Sequence, residues 1–418
     1  MLKEWIRPFY LKWLYFLLRP GAKPQQWVDC WRYPAVDLTL PQPPPARQPD
    51  ILFLPMNDWH TRMQRPQHLA LVLASLGHRC FYLNPNLGRE FPQPVATGSR
   101  LRLCELAERV WEIHAGLPRE PVFHHRILRA GETNRILRDV ETIAKVFHVH
   151  RLAVLSQFPL WNSLAFQLRE RLGGPLVYDC HDLLSGFSRI APEIISEETQ
   201  LYEKADIVVF SAKSLIQRKL AEMPWLGDKA HLVRNGVDVD HFQPGEGGRR
   251  KVVGYVGSLD EWFDVAAVRL AAATHPECQF VLLGRVEDKK ILALEDQPNV
   301  RFYGEVPYDR LPVYMAEFDV ALIPFLVTPL TRATNPIKLY EYFSCGLPVV
   351  STALPEVELF PDLVYLAHGP EEFAARVGQA LEEQSPALRE RRRKLAEEES
   401  WENRGRRISS LLDQEEAE

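Results

Sequence analysis

Short apolar segments alternate with amphipathic ones from about residue 50 to residue 240. The apolar segments have the length of buried strands, and the amphipathic ones place apolar residues at helical spacing. Strands are predicted at 51–55, 78–83, 152–155, 176–178 and 207–210, and helices at 64–76, 161–172, 193–204 and 213–222. Short strands separated by helices of this length indicate βαβ units and a parallel sheet.

The pattern pauses over residues 231–250, where Gly245, Gly247 and Gly248 predict a flexible joint, and then resumes. Strands are predicted at 252–256, 280–283, 300–302, 320–324, 348–351 and 363–366, and helices at 264–273, 310–317, 336–345 and 370–383. Two doubly wound units predict an α/β protein with a ligand cleft at the carboxyl ends of both sheets. The predicted domains are 50–240 and 250–385, followed by charged helices over 386–418 that break near 399–401.

The first 35 residues differ from the rest, because aromatic residues mix with lysine and arginine over 1–24 and a proline-rich connector follows at 36–49. The longest apolar run, 13–18, is far shorter than the roughly 20 residues that span a bilayer. No small-residue cleavage site follows, so a signal peptide is not predicted. Residues 1–24 either lie in the membrane interface or form a helix packed on the protein's own surface.

Composition and net charge argue against some classes of function. The chain has 418 residues and a net charge of −5, which gives no electrostatic basis for binding nucleic acid. The six cysteines form no CxxC pair and no metal-ligand spacing, so we expect reduced, buried thiols in a cytoplasmic protein.

The most informative segment is TRATNPIKLYEYFSCGLPVVST, residues 331–352. Asn335 suits a helix N-cap, Pro336 the first helical position, and Gly346 the left-handed stop. The predicted helix follows a strand and a loop. Its amino-terminal end therefore presents unpaired N–H groups and partial positive charge, which suit a diphosphate.

Two charged residues lie on one face of this predicted helix. Lys338 adds a full positive charge in the first turn, and Glu341, three residues on, could accept hydrogen bonds from two neighbouring ribose hydroxyls. The alternative is a surface ion pair between Lys338 and Glu341, which would stabilise the helix by no more than about 0.5 kcal/mol.

Four segments together resemble glycosyltransferase family 4, whose members have the GT-B fold of two Rossmann-like domains facing a cleft. They are NPIKLYEYFSCGLPVVST at the predicted helix, RNGVDVDHF at 234–242, VGYVGSL at 253–259 and the run from 299 to 325. The order and spacing match the family. Within the family, a subgroup from bacterial polysaccharide and teichuronic-acid-type gene clusters resembles this chain further. Its members also have segments similar to W…QRPQ, EWFD and NPIKLYEY.

The resemblance implies roles for particular residues. Glu341 matches the glutamate that binds the nucleotide ribose, Gly257 and Ser258 match the turn that approaches the donor phosphates, and Val306 matches the position whose backbone faces the nucleobase. Ile337 lies in the matching donor segment. VYDCHD, 177–182, is similar to the strand-end histidine motif and places His181 near the reacting sugar; a structural histidine is the alternative.

The sequence departs from the family at three places. Ala333 replaces the glutamate that contacts the donor sugar, so Thr334 or Asn335 is expected to take that part. The usual Arg…Lys pair after the glycine turn is absent, which leaves Lys338, Arg332 and Arg285 as charges for the diphosphate.

The third departure follows the first predicted strand. MNDWHTRMQRPQHLA, 56–70, replaces a glycine-rich loop, and four of its residues are expected on the acceptor or phosphate side of the cleft: Trp59, Arg62, Arg65 and Gln67. The alternative is that Trp59 packs locally and the arginines are solvated.

The implied activity is transfer of a sugar, with retention, from a nucleotide-diphosphate sugar to a hydroxyl of a glycan or lipid-linked acceptor in cell-surface polysaccharide or glycolipid synthesis. The expected enzyme is a metal-independent hexosyltransferase, cytoplasmic or peripheral at the inner face of the membrane, with no cofactor. His181, Lys338 and Glu341 are its catalytic candidates. The alternatives are a non-catalytic nucleotide-sugar-binding subunit and a sugar-nucleotide epimerase.

Overall fold

The computed structural model describes residues 48–60, 62–85, 101–115, 117, 123–245 and 251–417. Within them are two sheets, each made of strands joined mainly through helices. The aromatic and basic segment 1–24 and most of the proline-rich connector lie outside the described residues, as do Gly247 and Gly248 of the predicted joint.

The first sheet has eight strands in the order β3-β4-β2-β1-β5-β6-β7-β8. All neighbours are parallel except β3 and β4, which form an antiparallel pair at one edge. The strands are β1 Asp50–Leu54, β2 Cys80–Leu83, β3 Leu101–Ala107, β4 Val110–Ala115, β5 Leu152–Ser156, β6 Gly173–Cys180, β7 Ile207–Phe210 and β8 Ala230–Leu232. The helices around it are α1 Arg65–Ser75, α2 Ala130–Val146, α3 Asn162–Leu172, α4 Pro192–Lys204 and α5 Lys213–Glu222.

The second sheet has six strands, all parallel, in the order β11-β10-β9-β12-β13-β14. They are β9 Val252–Val256, β10 Gln279–Leu283, β11 Val300–Gly304, β12 Val320–Ile323, β13 Val349–Thr352 and β14 Val364–Ala367. The helices are α6 Val265–Thr274, α7 Leu311–Met315, α8 Pro329–Arg332, α9 Ile337–Ser344 and α10 Pro370–Leu381. This is the doubly wound dinucleotide-fold order, in which ligands bind where the strand order reverses, here between β9 and β12.

Two helices follow at the carboxyl end, α11 Pro386–Glu398 and α12 Trp401–Ala417. The break between them is where the sequence predicts it. Helix α12 returns to the first sheet and packs on α1, where an added Cβ at Gly405 would lie 2.3 Å from Val72 Cγ1. Its apolar residues Trp401, Ile408, Leu411 and Leu412 are buried in the same cluster as Leu69 and Leu73 of α1.

Each sheet has its own core because its strands are apolar on both faces and helices cover each face. One cluster fills the second domain, and two clusters lie on opposite faces of the first sheet. The predicted strands and helices are present, with ends that shift by a few residues. Among the described residues, the β3–β4 hairpin, α2, β8 and the short helix α8 were not predicted.

The described cysteines, Cys80, Cys104, Cys180, Cys278 and Cys345, are free and buried, as expected. Among the described helices, none has both the length and the apolar character that crossing a bilayer requires.

Candidate functional site

The amino-terminal end of α9 lies directly after the switch-point strand β12 and the short helix α8. Leu339 N bonds to Pro336 O at 3.1 Å, whereas the amides of Ile337 and Lys338 have no acceptor within the part of the chain that the structure describes. Two donors that point out of a helix end are what an oxyanion needs. The helix end is therefore suited to an anion.

The predicted capping of this helix is wrong in one respect. Helix α9 begins at Ile337, Pro336 holds the N-cap position, and no side chain caps the helix. The Asn335 side chain is used elsewhere, as described below. The predicted left-handed stop is correct, because Gly346 has φ of +73°.

Glu341 is buried, with 2% of its surface exposed, and lies on α9 one turn from its start. Lys338 Nζ lies 3.1 Å from Glu341 Oε2, but without the geometry of a hydrogen bond, so this oxygen has no hydrogen-bond partner. The i,i+3 ion pair that the sequence left open is therefore present, between a partly exposed Lys338 and a buried Glu341. Buried carboxylates usually also accept hydrogen bonds, and Glu341 Oε2 accepts none from the residues that the structure describes.

Two glycines let the turns after β9 and β10 pack closely against each other. Gly257 follows β9 with φ of +150°, and Gly284 follows β10 with φ of +153°. A Cβ at Gly284 would lie 1.7 Å from Gly257 O, so no side chain fits there. Ser258 O accepts a hydrogen bond from Tyr255 Oη at 2.9 Å, which holds the turn in place. Val306 is half-buried against the same domain core.

Asn335 joins the two domains. Its Oδ1 accepts from Asn235 N at 3.0 Å, and its Nδ2 donates to Tyr340 Oη at 2.8 Å and to Glu356 at 3.0 Å. Its backbone oxygen accepts from Asn235 Nδ2 at 2.7 Å. These bonds use both amide hydrogens, so the expected donor-sugar contact through the Asn335 amide is replaced by a structural role.

Glu356 is a residue that the sequence reasoning missed. It is buried, and it accepts from Lys213 N at 2.6 Å and from Arg234 Nε at 2.8 Å, both in the first domain. Its carboxylate lies at the start of α5, where a negative charge is favourable. No motif marks Glu356, because its partners come from distant parts of the chain.

Arg65 is also structural, which corrects its expected place on the phosphate side. It is 2% exposed, and its Nε lies 2.9 Å from both carboxylate oxygens of Asp179. Its Nη1 donates to Asn235 Oδ1 at 3.2 Å. Burial opposes ionisation of Asp179, but the Arg65 guanidinium outweighs it and lowers the pKa of that carboxyl. The alternative that Arg65 is solvated is therefore wrong as well.

Gln67 and Trp59 shape the loop between β1 and α1. Gln67 is fully buried, its Nε2 donates to Arg62 O at 2.6 Å and to Asp58 O at 3.1 Å, and its Oε1 accepts from Gln64 N at 3.2 Å. Its expected contact with acceptor or phosphate is thus corrected to support of the loop. Trp59 lies edge-on to Tyr82 with ring centroids 5.0 Å apart, which is the local packing considered as its alternative.

Arg62 reaches across the cleft from the same loop. Its Nε lies 2.7 Å from Glu305 Oε1, and its Nη2 lies 3.7 Å from Glu287 Oε1, both in the second domain. Arg285, which is 60% exposed, also contacts Glu287, at 3.2 Å. Arg62, expected on the acceptor or phosphate side, and Arg285, expected to serve the diphosphate, therefore both have acidic partners. Such exposed pairs are worth up to about 1 kcal/mol each and can be exchanged for an anionic ligand.

His181 follows β6 at the carboxyl edge of the first sheet. Its Nδ1 lies 3.2 Å from Asp179 O and its Nε2 lies 3.8 Å from Asp182 Oδ2. Ser211 Oγ donates to His181 O at 2.7 Å, which fixes the backbone there. The ring is thus oriented, and its expected role beside the reacting sugar stays a prediction.

The remaining candidates lie on or near the segment 329–338. Arg332 is exposed and forms no ion pair with any described residue, while its backbone oxygen accepts from Ser214 Oγ at 2.6 Å. Thr334 Oγ1 donates to Leu330 O at 2.9 Å. Ile337 is half-buried against the first domain's cluster, so α9 starts at the domain boundary.

Comparison with known proteins agrees with this architecture. Residues 250–383 match the family model for glycosyl transferases group 1. Sucrose-phosphate synthase from Thermosynechococcus elongatus superposes with a TM-score of 0.68 at 17% identity, over 89% of this chain and 100% of that one. The chain has the GT-B fold, and its residues 250–383 are similar to the group 1 glycosyltransferases.

Two further proteins that are similar to this chain are informative. TuaH of Bacillus subtilis, described as a teichuronic acid biosynthesis glycosyltransferase, is 27% identical over 273 residues. The match covers 58% of this chain and 66% of TuaH, just under two thirds of its length. HepE of Anabaena, solved in complex with UDP and glucose, has a TM-score of 0.59 at 15% identity, over 87% of this chain and 99% of that one.

Burial gives a physical reason for Ala333 at the position where the family that the sequence resembles has a glutamate. Ala333 is buried in a cluster of the first domain together with Leu330. An added Cβ at Gly186, also in the first domain, would lie 2.7 Å from Leu330 Cβ. A glutamate at position 333 would place a charge in this apolar contact, which is unfavourable without a partner.

Proposed function

We propose that the protein is a retaining, metal-independent glycosyltransferase that moves a hexose from a uridine-diphosphate sugar to a hydroxyl. The acceptor proposed is a glycan or lipid-linked glycan of cell-surface polysaccharide or glycolipid synthesis. The similarity to TuaH supports the acceptor class, and the structural likeness to HepE, solved with UDP and glucose, supports the donor.

One observation carries the proposal. The buried Glu341 carboxylate, with an oxygen that lacks a hydrogen bond, lies one turn from the open amides of Ile337 and Lys338. A nucleoside diphosphate offers ribose hydroxyls to the carboxylate and phosphate oxygens to the amides.

The chemistry follows from charge. As the bond from the sugar to the diphosphate breaks, negative charge grows on the leaving group, and fixed donors aimed at that charge lower the barrier. In the proposal the α9 amides and Lys338 supply these donors, and Arg332 adds an unpaired charge. Arg62 and Arg285 would exchange their acidic partners for the phosphates, and His181 would face the transferred sugar.

The test is turnover and binding with purified protein. We expect release of UDP from one of UDP-glucose, UDP-galactose and UDP-N-acetylglucosamine, unaffected by EDTA, and a product that keeps the donor's anomeric configuration by NMR. Glu341→Gln removes a charged acceptor worth about 2 kcal/mol, so UDP affinity should fall roughly thirtyfold. Lys338→Ala should lower kcat, and the exposed Glu371→Gln is the matched control.

The outcomes separate the alternatives. Binding without any turnover in the presence of membrane extract would favour the non-catalytic subunit. An isomerised nucleotide-sugar in place of free UDP would favour the epimerase. If Glu341→Gln leaves UDP affinity unchanged, the proposed donor site is wrong.

A further inference from the structure

The loop that follows His181 in the first domain lies directly against the second domain. Four consecutive residues make the contact: Gly186, Phe187, Ser188 and Arg189. A Cβ at Gly186 would lie 2.7 Å from Leu330 Cβ of α8, so a side chain at this position would overlap the second domain. The loop backbone and α8 are therefore closely packed.

The next two residues meet the segment that follows the Gly257 turn. The rings of Phe187 and Trp262 lie edge-on with centroids 6.4 Å apart. Ser188 donates twice to the Glu261 carboxylate, from Oγ to Oε2 at 2.6 Å and from its amide to Oε1 at 3.3 Å. Hydrogen bonds to an ionised acceptor are stronger than those between neutral groups. One carboxylate of the second domain thus binds both donors of Ser188.

Arg189 adds an ion pair to the same contact. Its Nη2 donates to Asp260 Oδ1 at 3.1 Å, and its Nη1 lies 3.9 Å from Glu287 Oε2. Asp260 Oδ1 also accepts from Glu261 N at 2.8 Å, which fixes the segment locally. Residues 187–189 consequently pair in reverse order with residues 260–262, and we call this contact the interdomain clasp.

Each side of the interdomain clasp is joined to a part of the candidate site. In the second domain, Ser258 of the glycine turn lies two residues before the clasp, and Leu259 N donates to Arg285 O at 3.0 Å. In the first domain, His181 lies six residues before the clasp, and the intervening Leu183 and Leu184 are buried. A displacement of the clasp therefore displaces the loop that carries His181.

We propose that the interdomain clasp positions His181 relative to the Gly257 turn, so that Ser188, Arg189 and Glu261 are positioning residues of the transfer reaction. This inference rests on the proposed function. Reaction rates fall steeply when reacting groups are displaced by a fraction of their contact distance. The α9 amides, Lys338 and Glu341 all belong to the second domain, so nucleotide affinity should not depend on the clasp.

Glu261→Ala tests the contact without any need for activity. Amide hydrogen exchange of the full chain, followed by mass spectrometry over residues 183–190, should be at least fivefold faster in this variant because the Ser188 amide loses its acceptor. Asp296→Ala is the matched control, since it removes an exposed ion pair within the second domain, Arg269 Nη1 to Asp296 Oδ2 at 2.8 Å. It should leave the exchange unchanged. Unchanged exchange in Glu261→Ala would overturn the inference.

Arg189→Glu tests the consequence for turnover. The Arg189 side chain is 58% exposed, so the change should not affect folding, but it places a carboxylate beside Asp260 and Glu287. We expect kcat for UDP-sugar turnover to fall at least fivefold while UDP affinity, measured by calorimetry, stays within twofold. Arg189→Lys keeps the charge and should retain at least half of the wild-type kcat.

The remaining outcomes are also decisive. An unchanged kcat in Arg189→Glu, or an equal loss in Arg189→Lys, would overturn the inference. A fall in UDP affinity as large as the fall in kcat would overturn it too, because Arg189 would then act on the donor. If the wild type turns over none of the UDP-sugars, the proposed function fails, whereas faster exchange in Glu261→Ala would still establish the interdomain clasp.

Discussion

Arg62 and Arg65 show how differently two arginines three residues apart can be used. Arg62 is 30% exposed and forms ion pairs across the cleft, whereas Arg65 is buried against Asp179. In the sequence, neither the residue type nor the position in the segment distinguishes the two arginines. What separates them is the path of the loop before α1, which the buried Gln67 side chain determines through its bonds to Asp58 and Arg62.

At this scale we predict that Arg65→Met destabilises the protein strongly, because it leaves Asp179 buried without its counter-charge. The free energy of unfolding in urea at pH 7 should fall by about 3 kcal/mol. Arg62→Met, the matched control, should cost less than about 1 kcal/mol because its ion pairs are exposed to solvent.

The same pair of variants should respond differently to pH. Arg65 holds the pKa of Asp179 below its unfolded value, so the stability that Asp179 contributes is present above about pH 4 and is lost as pH falls through the folded pKa. In Arg65→Met, burial favours the protonated form. The deficit relative to the wild type should therefore shrink from pH 7 to pH 3, and a deficit that is independent of pH would contradict the assignment.

Among the elements, the turns after β9 and β10 position the candidate donor site through backbone alone. The carbonyl of Gly257 occupies the space that a Cβ at Gly284 would need. Helix α9 likewise offers backbone amides and not a capping side chain. Sites of this kind depend on the close approach of chain segments, so substitutions that only add a methyl group should be harmful.

We predict that Gly284→Ala displaces the Gly257 turn and costs at least about 2 kcal/mol of unfolding free energy through strain and overlap. UDP binding, followed by calorimetry, should weaken more than tenfold if this turn approaches the phosphates. Gly131→Ala is the control: Gly131 lies in α2 with no atom within 4 Å of an added Cβ, and the change should stabilise by about 0.5–1 kcal/mol. Unchanged UDP affinity in a folded Gly284→Ala protein would count against the placement of the phosphates.

Across the whole molecule, the chain's end ties the two domains together. Helix α12 leaves the second domain and packs on α1 of the first, which is the helix that carries Arg65 and His68. The junction of Asn235, Asn335 and Glu356 makes a second connection close to the cleft. The candidate site is therefore supported from both sides by buried contacts.

We predict that Leu411→Ala, in the middle of α12, lowers the unfolding free energy by about 2–3 kcal/mol because it leaves a cavity against α1. Since α1 carries the Arg62–Arg65 loop into the cleft, the variant should also weaken UDP binding. The exposed Arg407→Ala on the same helix should change neither. Thermal unfolding with and without UDP measures both effects, and an unchanged unfolding temperature for Leu411→Ala would show that α12 is not part of the first domain's core.

The sequence by itself determined the α/β class, nearly all strands and helices of the two sheets, and the segment 331–352 as the informative one. These follow from local periodicity and from turn and helix-end residues, which act over a few positions. The β3–β4 hairpin escaped because its apolar residues are interrupted by charges, whereas α2 has buried residues at regular helical spacing that the sequence analysis overlooked.

Only the tertiary structure decided which polar residues face a ligand and which hold the fold. Asn335, Arg65 and Gln67 lie in the predicted segments, yet their partners come from other parts of the chain, such as Asn235 and Asp179. Glu356 acquires its importance in the same way, through Lys213 and Arg234. A hydrogen bond or an ion pair depends on distance in space, and a single sequence records distance only along the chain.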